Sequence, residues 1–248
     1  MLAGDVAWAA AKPETEYSLD GIAPVLAKYR VPAGTPEASG PWTRVYAHYW
    51  LQNLNASNGS VTITHRPGTV SGLGIDYRMM LEGGRRQYHE AMDLHFAWSG
   101  KLPIPKTWEM ESSVMEDGKA LDDLSAKSSG VLRDNTLVMK TVNGTHAYKA
   151  PGPATVNWQL FDVVSRLGGK RIEPLSFTLI DHGDKVKPEA TLSYRKRVTV
   201  VIGEAEMPLQ SYELKGRGIL PTVFWTDERG LLLFVVSGLE AYCLKEIQ

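Results

Sequence analysis

Hydrophobic and polar residues alternate along most of the chain from residue 42 onward, and this period of two restricts the fold to sheet-rich architectures. Runs such as RVYAHYWLQN (44–53), GSVTITHR (59–66) and RQYHEAMDLHFAW (86–98) are rich in β-branched and aromatic residues, and Gly, Asn or Pro separates them. Sequential strands joined by short turns form antiparallel meanders. The alternation therefore predicts a mainly β protein, an antiparallel barrel or curled half-barrel of about ten strands.

Two segments have the spacing of an amphipathic helix instead. In residues 19–30, four hydrophobic side chains recur at i, i+3, i+4 and i+7, and Asp20 stands where it can cap the first turn. Residues 155–169 repeat that spacing, with Thr155 as the predicted cap and two glycines at the end. Both helices are expected to pack on or in the barrel, because each has a hydrophobic face to bury. Residues 116–135 are polar without a clear period and are interpreted as a long excursion.

The chain divides into an N-terminal segment, a linker region and one domain. Residues 1–12 include Ala7-Trp8-Ala9, the small-x-small pattern that ends a secretory signal, and are predicted to be a signal-peptide remnant or a disordered tail. The alternative is an alanine-rich cytosolic N-terminus. Residues 13–41 are assigned to the N-terminal helix and a Pro/Gly/Ser-rich linker, and residues 42–248 to a single antiparallel β-barrel-like domain. The signal pattern favours a periplasmic or secreted bacterial protein.

Composition excludes several classes of function. The 248 residues carry a formal net charge of −1, so the chain lacks the basic excess typical of nucleic-acid binding. No hydrophobic run reaches the roughly 18 residues of a membrane-spanning helix, and no integral membrane segment is predicted. Cys243 is the single cysteine, which leaves no intrachain disulfide and no cysteine-based metal site. No motif predicts a nucleotide cofactor.

The second half of the chain resembles a known group of proteins. The segments NWQLFDVVSRL (157–167), PLSFTLIDHGDKVKPEATLSYR (174–195) and GRGILPTVFWTDERGLLLFVVSGLEAYCL (216–244) resemble exported bacterial proteins of unknown function. Those proteins are similar in shape to the periplasmic lipoprotein carriers. The resemblance implies an incomplete antiparallel barrel with helices inside or across its mouth, and it implies export. It transfers no catalytic residue.

The most suggestive chemistry lies in the strand QYHEAMDLHFAW (87–98). His89, Asp93 and His95 share one face of this strand, while the other face is hydrophobic except for Glu90. His89 and His95 are candidate catalytic residues, because histidine moves protons near neutral pH. Asp93 and His95 stand about 6–7 Å apart at adjacent positions of one face and are candidate ligands for one divalent metal ion. The alternative is an ordinary solvated strand face.

A second polar face combines aromatic rings with charged groups. The run RVYAHYWLQN aligns Arg44, Tyr46, His48 and Trp50 on one side of a strand. Such a face suits a sugar or another polar organic ligand, so His48 is a candidate catalytic residue and the other three are candidate substrate-binding residues. Trp50 has a core or interface ring as its alternative role. Arg78 of IDYRMMLE, which shares a face with Asp76 and Glu82, completes the candidate substrate-binding set.

Two functional hypotheses that involve a ligand remain open at this point, beside a third in which the chain is a structural envelope protein with no small ligand. The first is a binding protein that holds a small amphipathic or lipid-like molecule, or a partner segment, in a concave face. The second is a lyase or hydrolase acting on a carbohydrate-like polar substrate through the His/Asp/Arg face, with or without a divalent metal ion. The enzyme hypothesis requires the faces that carry His48, His89 and His95 to line the same concavity. The turn Asp181-His182-Gly183-Asp184 is predicted to bond mainly to its own backbone.

Overall fold

The computed structural model describes residues 19–34, 39–81 and 84–248, so residues 1–12 and Glu82 lie outside the described residues. The described residues form fifteen strands and two short helices. None of these helices is long and hydrophobic enough to cross a membrane. The strands are β1 (Trp42–Trp50), β2 (Gly59–Arg66), β3 (Ser71–Met80), β4 (Arg86–Ser99), β5 (Leu102–Glu116), β6 (Lys119–Arg133), β7 (Thr136–Thr141), β8 (Gly144–Lys149), β9 (Ala154–Val156), β10 (Leu175–Asp181), β11 (Lys185–Ile202), β12 (Ala205–Lys215), β13 (Thr222–Thr226), β14 (Leu232–Ser237) and β15 (Glu240–Ile247).

All fifteen strands belong to one sheet whose order is β8-β7-β6-β5-β4-β3-β2-β1-β15-β14-β13-β12-β11-β10-β9. The first and last strands pair, with His48 opposite Tyr242, so both ends of the meander meet in the middle of the sheet. Every pairing is antiparallel except that of β9 with β10, which a helical crossover connects. The terminal strands β8 and β9 do not pair with each other, and the sheet is not closed.

The sheet curls until its β9 edge approaches β5, and side chains join the two parts there. Trp108 of β5 donates its indole N–H to the carbonyl oxygen of Gly183, at 2.9 Å. Glu90 of β4 accepts hydrogen bonds from Trp158 and His182. We call these contacts among Glu90, Trp108, Trp158, His182 and Gly183 the side-chain seam. Strands β6 to β8 extend beyond it.

The two helices cover opposite faces of the central strands. Helix α1 (Ala23–Leu26) follows a 3₁₀ turn, and Tyr29 just after it donates to the carbonyl oxygen of Leu244 and packs on Phe234. Helix α2 (Leu160–Arg166) lies on the other face, where Phe161 packs edge-on against Tyr46 and Tyr242. We call the α2 side the inner face and the α1 side the outer face. Because both faces of β14 are covered, its residues from Leu232 to Val236 are all buried and its sequence is continuously hydrophobic.

The structure corrects the predicted strand number. Residues 119–133, within the segment interpreted as an irregular excursion, form β6 and pair with both β5 and β7. Most of β6 and all of β8 are exposed, because these strands lie beyond the side-chain seam. A strand without a buried face has no hydrophobic alternation, so the periodicity could not indicate it. The predicted hairpin turn at Asn143-Gly144 is confirmed between β7 and β8.

Both predicted helices are shorter than expected. The first is a four-residue 3₁₀ turn and the four residues of α1, and its N-cap is Ile22 rather than Asp20. In the second, Thr155 belongs to β9 and a 3₁₀ turn precedes α2. The Gln159 side chain, rather than Thr155, accepts a hydrogen bond from the backbone N–H of Val156, the last residue of β9, at 2.8 Å. The predicted stop is confirmed, since the residue after the helix cap, Gly168, has a φ of 62°.

Candidate ligand-binding cavity

Four of the eight predicted site residues lie on the outer face of β3 and β4. Arg78, Asp93 and His95 are exposed, and His89 is half-buried. Arg78 donates to the Asp76 carboxylate at 2.8 Å, and His89 Nε2 lies 3.5 Å from the same carboxylate. These side chains interact with each other across the strand surface, which is the arrangement expected of a solvated sheet face.

The other four predicted residues turn inward. Arg44, Tyr46 and His48 are fully buried against α2 and the central strands, and Trp50 lies at the end of β1. The two predicted faces are thus on opposite sides of the sheet, and the hypothesis that His48 meets His89 or His95 in one concavity is wrong. The reason is the pairing register, which aligns His48 through Gly59 of β2 with inward positions of β3 and β4.

Asp93 and His95 occupy adjacent outward positions of β4, with His95 Nε2 3.8 Å from an Asp93 oxygen. The other oxygen of Asp93 accepts a hydrogen bond from Arg66. In the described part of the chain, no group of three or more His, Cys, Asp or Glu side chains is arranged to hold a metal ion. The Asp93 carboxylate is therefore already paired with Arg66, which would compete with a metal ion for it.

We expect Asp93→Asn to change the free energy of unfolding by less than about 1 kcal/mol, because its ion pair with Arg66 is exposed to solvent. The comparison variant is Asp162→Ala, which removes a buried side chain that accepts a hydrogen bond from Arg166 at 2.9 Å and should cost considerably more. Urea unfolding of both variants checks this order. A loss above about 2 kcal/mol for Asp93→Asn would mean that this side chain has a structural or metal-binding role.

A cavity of about 590 Å³ opens on the inner face, at the end of the sheet where three strand-connecting turns meet. These are the β10–β11, β12–β13 and β14–β15 turns. The N-terminal end of the helical crossover closes one side of it. We call it the mouth cavity; among its lining residues are Trp50, Trp158, Phe161, Asp181, His182, Lys187, Leu214, Leu220, Phe224, Val235, Leu239, Glu240 and Tyr242. Trp50 is the one member of the eight predicted site residues in this lining.

The rim of the mouth cavity is hydrophobic and exposed. Leu220 and Leu239 are 63% and 57% exposed, although leucine is normally buried in a folded domain. They come from the β12–β13 and β14–β15 connections, on neighbouring sides of the opening. A methyl group added at Gly238 would come 3.1 Å from Leu220, which shows how close the two turns are. Exposed hydrophobic side chains next to a cavity are typical of a binding site.

A buried carboxylate stands behind one wall of the cavity. Glu90 has no exposed surface, and its oxygens accept hydrogen bonds from Trp158 Nε1 at 2.9 Å, Tyr88 OH at 2.9 Å and His182 Nδ1 at 3.1 Å. Burial by itself raises the pKa of Glu90, but the hydrogen bond and charge of His182, with the other two donors, outweigh it and lower the pKa. Glu90 is therefore ionised.

His182 is held in position by its turn. Its φ of 46° is in the left-handed region that non-glycine residues rarely adopt, and its backbone N–H donates to Asn157 Oδ1 at 3.2 Å. Burial lowers the pKa of His182, yet the hydrogen bond and charge of Glu90 raise it above its ordinary value. The backbone turn and the Glu90 contact together fix this imidazole at the cavity wall, and the Glu90 carboxylate favours its protonated form.

Sequence reasoning missed Glu90, His182 and Glu240 as parts of a site. One signal was present in the alternation of β4, where Glu90 is the charged residue on an otherwise hydrophobic face. A charged residue at a core position requires a partner. The partner, His182, lies 92 positions away and no local pattern connects the two.

The fold and the mouth cavity define a class: an open, single-sheet, mostly antiparallel β-barrel-like protein with an internal helix and a cavity at one end. The crystal structure of a beta-barrel-like protein of domain of unknown function DUF1849 from Brucella abortus has this fold, with a TM-score of 0.57. The similarity covers 84% of this chain and 97% of that chain at 13% sequence identity, so it shows the fold alone. No protein-family model and no curated protein matches the sequence.

The structural similarity supports the predicted resemblance to an uncharacterised bacterial β-barrel-like protein, and it extends over most of the chain rather than the second half. Export and the likeness to lipoprotein carriers stay predictions.

Proposed function

We propose that this protein is an exported binding protein that holds a small amphipathic molecule, or an amphipathic segment of a partner, in the mouth cavity. The observation that supports this proposal is that one cavity combines a hydrophobic wall, an exposed leucine rim and a few charged groups at one side. The volume of the mouth cavity, about 590 Å³, lies within the range of roughly 300–1,000 Å³ that is typical of small-molecule sites.

The polar groups of the cavity support an amphipathic rather than a purely hydrophobic ligand. Asp181, His182, Lys187 and Glu240 stand at the lining, while Leu214, Phe224 and Val235 form the hydrophobic part. Lys187 Nζ lies 2.7 Å from Asp181, and both side chains are mostly buried. A ligand with one polar end and one hydrophobic end can satisfy both regions at once.

The enzyme hypothesis depends on the His/Asp/Arg face of β3 and β4. That face is on the outer side of the sheet and away from the mouth cavity, and its charged groups are solvated. The histidines of the enzyme hypothesis are also divided between the two sides of the sheet, since His89 and His95 lie on the outer face and His48 is buried on the inner face. Export is tested by fusing the natural full-length protein to alkaline phosphatase, which is active only outside the cytoplasm.

We expect Leu220→Asp to weaken binding of a neutral hydrophobic dye by at least about tenfold, because it places a charge on the hydrophobic rim. The dye is N-phenyl-1-naphthylamine, whose fluorescence rises in a hydrophobic environment, and titration of the purified protein gives its affinity. Leu239→Asp should have a similar effect from the other side of the opening.

The matched control is Leu124→Asp, which replaces a leucine that is 48% exposed on β6 and absent from the cavity lining. It should leave dye binding unchanged. Equal affinity of the Leu220→Asp, Leu239→Asp and Leu124→Asp proteins, or no dye binding by the natural protein, contradicts the proposed function.

A further inference from the structure

Three carboxylates stand on or directly behind the wall of the mouth cavity, and two of them are already paired with a basic side chain. Asp181 is paired with Lys187, and Glu90 with His182. Glu240 is the third, and it lines the cavity. The ion pairs formed within the described ranges give Glu240 no lysine or arginine. Its side chain is 31% exposed.

Two polar side chains, Tyr242 and His48, lie against the Glu240 carboxylate. Tyr242 OH donates to the carboxylate at 2.9 Å, and His48 Nε2 lies 3.7 Å away. The Asn58 carboxamide, with its oxygen towards Trp50 Nε1, donates its N–H to His48 Nδ1 at 3.0 Å. Burial raises the pKa of Glu240, but the nearby His48 imidazole, the Tyr242 hydroxyl and the charge of His182 outweigh it and lower the pKa below its ordinary value. Glu240 therefore presents a carboxylate to the cavity, and no lysine or arginine of the described residues is paired with it.

Aromatic rings surround this carboxylate. Trp50, Trp158 and Tyr242 line the same cavity, and His48 packs edge-on against Trp50 at a centroid separation of 5.3 Å. The face of an aromatic ring attracts a cation, and tryptophan does so most strongly. A carboxylate beside such rings attracts an ammonium group by charge and by the ring quadrupole together.

We propose that the ligand of the mouth cavity is a small amphiphile with a cationic ammonium head group. Glu240 and the neighbouring ring of Trp50 bind the ammonium group. The alkyl chain of the ligand lies against Leu214, Phe224 and Val235. This inference rests on the proposed function and names the chemical class of its ligand.

The test compares three ten-carbon competitors that differ in the charge of the head group: decyltrimethylammonium, decanol and decanoate. Each displaces N-phenyl-1-naphthylamine from the purified protein below its own micelle concentration. We expect decyltrimethylammonium to bind roughly tenfold more tightly than decanoate, with decanol between them. In Glu240→Gln this preference should disappear, while decanol binding stays the same.

Glutamine at 240 keeps an oxygen that can accept from Tyr242, and an unchanged melting temperature confirms that the variant folds. The control variant is Glu246→Gln, on the same strand, exposed and outside the cavity lining, which should retain the preference. Equal binding of the three competitors, tighter binding of decanoate, or a preference that survives Glu240→Gln overturns this inference and leaves the proposed function standing. Failure of the dye and of every competitor to bind overturns both.

Discussion

Replacing Glu90 with alanine should lower the free energy of unfolding by about 3–5 kcal/mol, because it removes a buried side chain and the acceptor that three hydrogen-bond donors share. Glu90 has no exposed surface, and its loss leaves the donors on Trp158, Tyr88 and His182 without an acceptor. These hydrogen bonds join β4 to the helical crossover and the β10–β11 turn. The variant should therefore unfold at a much lower urea concentration than the natural protein.

Glu109→Ala provides the matched control, because Glu109 is an exposed glutamate on the neighbouring strand β5. Its loss should change stability by less than about 0.5 kcal/mol. If Glu90→Ala does not fold, Glu90→Gln replaces it, because glutamine keeps the shape and one acceptor oxygen. The stability lost in Glu90→Gln should be larger than in Glu109→Ala and smaller than the value expected for Glu90→Ala. A loss below about 1 kcal/mol for Glu90→Ala would mean that this ion pair does not hold the side-chain seam together.

The same pair makes stability depend on pH in a defined direction. The pKa of Glu90 is below its ordinary value of 4.5, so its contribution is present above pH 4.5 and is lost as pH falls through the folded value. The pKa of His182 is above 6.5, so its contribution is complete below pH 6.5 and is lost as pH rises through the folded value. The stability difference between the natural protein and Glu90→Gln should therefore be largest between these two values.

Gly130→Ala should destabilise the protein by about 3 kcal/mol and lower the melting temperature by roughly 6–12 °C. A Cβ atom at Gly130 would lie 1.9 Å from Cζ2 of Trp108, whose side chain is buried. The indole cannot move away freely, because its N–H is bonded to the carbonyl oxygen of Gly183. Glycine is required here by the space that the tryptophan ring occupies.

Gly152→Ala is the control for this substitution, because a Cβ atom at Gly152 meets no atom within 4 Å. Thermal unfolding followed by near-ultraviolet circular dichroism reports both the melting temperature and the tryptophan environment. If Gly130→Ala and Gly152→Ala have the same melting temperature, the contact between Trp108 and Gly130 does not constrain the folded state.

The sequence predicts the fold well wherever one face of a strand is buried. The alternation in β1, β3 and β4 groups the residues that share a face correctly, including the face of Asp93 and His95, although it does not tell which face turns inward. It fails for β6, which is exposed along most of its length and resembles a loop in composition. The predicted helix lengths are wrong for a different reason. The length of α2 is set by its place in the connection between β9 and β10, and local helix propensity does not include this constraint.

The candidate site is less accessible to sequence reasoning. Trp50 was selected because an aromatic ring beside charged groups suits a ligand, and it lines the mouth cavity. Glu240 could not be selected in the same way, since an isolated glutamate before a hydrophobic strand is ordinarily a surface residue. Its importance arises from its place in the mouth cavity, where Tyr242 OH donates to its carboxylate and no lysine or arginine of the described residues pairs with it.

The sequence by itself determined the mainly β class, the direction of the side chains along each half-buried strand, and the hydrophobic helix that needs a sheet to cover it. These properties follow from local periodicity, because a period of two or 3.6 residues defines a face before any partner is known. Only the tertiary structure decided that the sheet stays open, that side chains join β4 and β5 to the β9 edge, and that Glu240 faces a cavity with no lysine or arginine partner among the described residues. Those features depend on groups far apart in the chain, such as Glu90 and His182, whose approach is set by the curl of the whole sheet.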